Sequence, residues 1–156
     1  MDEIALRPLM PEDADAARAV VVARLGGTRY EARTLEQLEV ALTFEDPEYM
    51  ALLAAELESG QLAGLVIFGA VAGAQRVTKL HALLGSDEDT CAALASAVRS
   101  VASESGERMV VAELPDDLVF NVAIASLRES GFHEEGRVSD FVADGVGLRF
   151  LVWRAG

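Results

Sequence analysis

With one cysteine, Cys91, and two histidines, His81 and His133, this sequence has little with which to close a disulfide or hold a metal. A lone thiol excludes an intramolecular disulfide, and no Cys/His cluster has the spacing of a zinc site, so no metal is expected. Basic residues are also scarce: 13 stand against 26 acids, for a formal net charge of −13. That imbalance repels nucleic acid and anionic membrane surfaces, so neither is expected as a partner, and small molecules, cationic ligands and proteins remain. No apolar run approaches the roughly 18 to 20 residues that cross a bilayer, and the start Met1-Asp2-Glu3 lacks the basic flank of a secretory signal. The expectation is a cytoplasmic protein kept soluble by its acids. The chain also lacks a Ser/His/Asp arrangement and a Walker loop, which removes two common reaction classes.

What is present is apolar: 51% of the 156 residues are hydrophobic, enough for the core of one domain over residues 1–156. Ile4 to Leu6, followed by Arg7-Pro8, reads as an edge strand. Pro11-Glu12-Asp13 opens a helix, with Pro at its first position and acids in its first turn, and Gly26-Gly27 closes it. Thr34 with Gln37 reads as a capping box for a second helix through about Leu42, which Asp46-Pro47 ends. Three strands follow, Tyr49 to Leu57, Leu62 to Ala72 and Arg76 to about Leu84. The short turns Ser59-Gly60 and Gly73-Ala74 make them an antiparallel meander.

After Asp87-Glu88-Asp89, the residues Cys91, Leu94, Val98 and Val101 recur at helical spacing and define one apolar face, and Gly106 stops that helix. Met109 to Leu114 reads as a buried strand. Pro115-Asp116-Asp117 starts a further helix with Phe120, Ile124 and Leu127 on one stripe, ended by Gly131. Glu134 to Val142 and Leu148 to Trp153 read as a hairpin around Asp144-Gly145. The order is β-α-α-β-β-β-α-β-α-β-β.

With this order, three stretches resemble the GNAT superfamily of N-acetyltransferases. They are Ile4-Ala5-Leu6-Arg7-Pro8-Leu9 with Pro11 to Asp15, Ala123-Ile124 through Ser130-Gly131-Phe132, and Glu135-Gly136-Arg137-Val138 with Asp140-Phe141 and Asp144-Gly145-Val146. The resemblance spans nearly the whole chain. It implies an α+β fold, an α/β sandwich with a mixed, mostly antiparallel seven-stranded sheet and four helices, whose fourth and fifth strands diverge. It implies acetyl-CoA or another acyl-CoA as co-substrate, a small-molecule amine or a protein as acceptor, and a homodimer, for which the open sheet edges also argue.

The resemblance locates a binding site without its usual side chains. The pantetheine arm would pair with backbone at Ala82, Leu83 and Leu84, and the pyrophosphate would lie at the start of the next helix. There the family has a basic residue or Gln followed by spaced glycines, which let backbone N–H groups approach an anion closely. This sequence has Thr90, Ala92 and Leu94 at those positions, beside the carboxylates of Asp87, Glu88 and Asp89. Leu127 stands where many relatives have a proton-donating Tyr, and Thr78 where many have a basic carboxylate. The substitutes are His81, whose pKa range suits proton transfer, Glu113 near the end of the fifth strand, and Tyr30 in the loop between the first two helices. Cys91 reads as a small core residue, because neighbouring acids oppose its thiolate. Two functions are compatible: acyl transfer to an amine, with weak donor binding, and a non-catalytic module of the same fold that binds a small ligand or protein.

Overall fold

The computed structural model of the chain describes residues 3–43, 45 and 51–156. The strands are β1 (Ile4–Pro8), β2 (Ala51–Leu57), β3 (Leu62–Ala70), β4 (Val77–Gly85), β5 (Met109–Pro115), β6 (His133–Ala143) and β7 (Val146–Arg154). The helices are α1 (Ala14–Leu25), α2 (Glu31–Thr43), α3 (Glu88–Glu104) and α4 (Asn121–Glu129), with single 3₁₀ turns at Pro11–Asp13 and Leu118–Phe120. All seven strands form one sheet in the order β1-β2-β3-β4-β5-β7-β6. Every pairing is antiparallel except β4 with β5. The sheet is therefore mixed, mostly antiparallel and flanked by four helices, as the sequence implies.

Period-2 alternation divides the core between the two faces. On β3, Leu65 and Ile67 point to a cluster under α1 and α2 that also holds Val21, Leu25 and Leu38. Val66 and Phe68 point the other way, to a cluster under α3 and α4 with Leu94, Val98, Ile124, Leu127 and Phe132. On β4 the alternation slips. Leu80 and Leu83, three residues apart, share the α3/α4 cluster, while Ala82 and Leu84 belong to the other. The cause is a bulge: Ile67 faces Ala82 and Phe68 faces Leu80, so His81 is the extra residue on β4.

Local chemistry moves three of the expected features. Helix α2 begins at Glu31 and Thr34 is buried within it, so Thr34 and Gln37 do not cap. A competing pair, Thr28 and Glu31 in place of Thr34 and Gln37, does this: the Thr28 hydroxyl accepts from the Tyr30 N–H at 3.2 Å, and the Glu31 carboxylate accepts from the Gly27 N–H at 3.3 Å. On α3, Val101 is exposed and Ala102 takes its place on the buried face. Pro115 ends β5 instead of opening a helix, and Asp117 caps the turn that follows it. The Asp46-Pro47 stop and the Tyr49 start of β2 lie outside the described residues. No helix among the described residues is long and apolar enough to cross a membrane.

Two glycines fix how the layers meet. A Cβ on Gly85 would lie 2.7 Å from Cys91 Sγ, so the bare backbone of β4 lets α3 start directly against it. Gly131, at φ 93°, closes α4: its N–H reaches Arg128 O and the Phe132 N–H reaches Leu127 O, which turns the chain into β6.

Candidate functional site

The parallel seam between β4 and β5 is short. It runs from Val77 opposite Met109 to Leu80 opposite Ala112, yet β4 continues to Gly85 and β5 to Pro115. Past Leu80 and Ala112 the two strands form a fork, and the β4 backbone N–H and C=O groups on that side have no strand partner among the described residues. The first residue beyond the fork on β4 is His81, and on β5 it is Glu113. The structure thus brings these two sequence candidates to one apex.

The His81 imidazole is held below its ordinary value of 6.5, first by burial and then by the charges of Lys79 and Arg33, against a smaller opposing pull from Glu113. It is neutral at neutral pH and able to accept a proton. Glu113 is exposed and pairs with Lys79 Nζ at 3.4 Å. Lys79 was legible as a neighbour, two residues before His81 on the same strand.

Tyr30, the third candidate, stands nearby on a different footing. Its ring packs edge-on against Phe120, centroids 4.8 Å apart at 74°, and its hydroxyl donates to Asp117 Oδ2 at 2.9 Å. Burial first, and this bond second, push its pKa up to about 12. Tyr30 stays protonated and its proton points at Asp117. No local pattern announces a pair separated by 87 residues.

Along the β4 arm of the fork lies a cleft of about 250 Å³. Its walls come from the end of α1 (Ala23 to Leu25), the end of β4 and the next residue (Leu83 to Ser86), Cys91 at the start of α3, Val119 and Phe120 before α4, and Val122 and Ala123 within it. Leu83 and Leu84, two of the expected backbone contacts, line it, and Ala82, the third, is buried just before them.

The residues expected at the phosphate loop face inward. Thr90 and Leu94 are fully buried in the packing of α3 and Ala92 is half-buried. The Thr90 N–H already donates to the Asp87 carboxylate at 2.8 Å, an N-cap that holds Asp87 below the usual carboxylate range. Glu88 is raised, chiefly by sharing a hydrogen bond with Glu129 on α4, so two acids crowd the same end of the helix. Burial pushes the Cys91 thiol up to about 11, so it is not a thiolate near neutrality. Among the described residues no group of three or more His, Cys, Asp or Glu is arranged to hold a metal ion.

No protein-family model matches the sequence, and no curated protein matches it either. Solved structures do. A candidate acetyltransferase of the GNAT family from Desulfovibrio desulfuricans superposes with a TM-score of 0.82 at 20% identity, covering 97% of this chain and 99% of that one. An N-acetyltransferase from Staphylococcus aureus Mu50 gives 0.79 at 16% identity, covering 97% and 98%. A ribosomal-protein-alanine N-acetyltransferase from Brucella melitensis gives 0.74 at 18% identity, covering 97% and 99%. The fold is the GNAT fold, and at these identities the likeness concerns the fold alone.

Proposed function

We propose that this chain is a GNAT-like N-acyltransferase that moves an acyl group, acetyl first, from a coenzyme A thioester to an amine. The observation that carries this reading is the fork. The unpaired β4 backbone beyond Leu80 offers hydrogen bonds to the amides of a pantetheine arm, the cleft along it has mostly apolar side chains, and His81 and Glu113 flank the point where the thioester would arrive.

His81 takes a proton from the acceptor nitrogen as that nitrogen bonds to the thioester carbonyl carbon. The C–S bond then breaks, its electron pair leaves on sulfur, and the proton passes through solvent to the sulfur. Amine plus thioester thus become amide plus thiol. Glu113 helps attract a cationic amine, which gives one proton to solvent before its lone pair can attack, and Tyr30 with Asp117 fixes the wall formed by Phe120. Much of the rate would come from alignment, which can supply several kcal/mol without a strong acid.

A second reading, a non-catalytic module of the same fold that binds a small ligand or protein, draws on the start of α3. Asp87 already occupies an amide that a phosphate would use, and Glu88 and Glu129 repel anions. Both readings allow a homodimer, which we propose from the two open sheet edges, β1 and β6, and which light scattering at micromolar concentration tests; only monomer would end it.

The deciding experiment incubates the protein with acetyl-CoA and a panel of small amines and peptides while free thiol is measured, with calorimetry of the same donors in parallel. Thiol release that needs both protein and amine is expected. Absence of donor binding and of thiol release would overturn the enzyme in favour of the module.

A further inference from the structure

We propose that Arg24, from the last turn of α1, is the cation that receives the phosphate end of the acyl donor, in place of the basic residue missing from the start of α3. This rests on the acyltransferase reading above. Among the described residues lining the cleft, Arg24 is the single charged side chain, and no carboxylate lines it. It lines the same cleft as Gly85, Ser86 and Cys91, and its charge is felt at the Cys91 thiol.

Acids outnumber bases two to one in this chain, and Arg7, Arg18, Arg128, Arg137, Arg149 and Arg154 all hold carboxylates. Arg24, like Arg29, Arg33, Arg76, Arg99 and Arg108, holds none among the described residues, and of these it alone lines the cleft. An exposed guanidinium without a carboxylate partner, on a cleft whose other side chains are mostly apolar, suits a ligand with an apolar arm and an anionic end. Its planar fork matches two phosphate oxygens, and the charge offsets part of the repulsion from Asp87, Glu88 and Asp89. Its other role, complementing the dipole at the end of α1, affects stability and not the choice of ligand.

Calorimetry with coenzyme A and with pantetheine, which lacks the phosphates, separates these roles in the unmodified protein, Arg24→Ala and Arg18→Ala. The last removes an equal charge outside the cleft. Expected is about tenfold weaker coenzyme A binding for Arg24→Ala, with pantetheine unchanged and Arg18→Ala near the unmodified protein. Coenzyme A binding that survives Arg24→Ala, falls equally in Arg18→Ala, or falls only as far as pantetheine binding does would overturn the assignment of Arg24 alone. No coenzyme A binding by the unmodified protein would overturn both this assignment and the acyltransferase reading.

Discussion

A neutral imidazole at the fork makes pH the first handle on single residues. Replacing His81 with Gln is expected to lower kcat about 100-fold, the ordinary contribution of a positioned base. It should also abolish the acid limb, which in the unmodified protein lies below 6.5 because burial depresses this group. A pH–rate profile checks both. Stability moves in the same direction: below 6.5 the unfolded chain binds a proton that the folded state refuses, so stability falls with pH from there. Asp13 follows the same sense at lower pH. Its hydrogen bonds from Arg7 and from the Met10 N–H lower its pKa from 3.8 to about 2, so it contributes stability above 3.8 that is lost as pH falls toward 2. Arg7→Ala should destabilise by about 1 kcal/mol at pH 7, with the difference vanishing near pH 2 in urea titrations. His81 and Glu113 could be named from strand position. Arg24 could not, because in the sequence it is only a base near a helix end, and it acquires its meaning from a strand some 60 residues away.

Elements were legible wherever period and punctuation agreed, as in the body of α3 and the final hairpin, whereas the start of α4 was not, because Pro115 ends β5 and Phe120 lies in the turn before the helix. The start of α2 was misread because two Thr-containing boxes compete within six residues, and only the packing of Leu38 and Ala41 on the sheet decides between them. The bulge at His81 left no mark in composition. Contact between α3 and β4 rests on Gly85, and Gly85→Ala would drive a methyl group into Cys91. Its expected cost is about 1 to 3 kcal/mol by thermal unfolding, since neither backbone can yield freely. At the same helix end, a triple variant with Asn at Asp87, Glu88 and Asp89 should bind acetyl-CoA more tightly than the unmodified protein in calorimetry. Unchanged weak binding would show that charge is not the cause.

For the molecule as a whole, the net charge of −13 should make the fold self-repelling, so raising NaCl from low to about 0.5 M is expected to raise Tm by roughly 2 to 4 °C in calorimetric scans. A Tm that falls would mean that the ion pairs outweigh the repulsion. The architecture was legible from element order together with the family resemblance, while the split of the core into two clusters required the sheet. The seam of four residue pairs between β4 and β5 joins a four-stranded slab carrying α1 and α2 to a three-stranded slab, with α3 and α4 packed behind both. Such a seam is expected to act as a hinge, with the least costly collective motion changing the angle between the slabs and widening or pinching the fork. A guest that bonds along β4 and presses on β5 acts as a wedge that stops this breathing. Amide hydrogens of residues 109–112 should then exchange more slowly when it binds, although they lie outside the cleft.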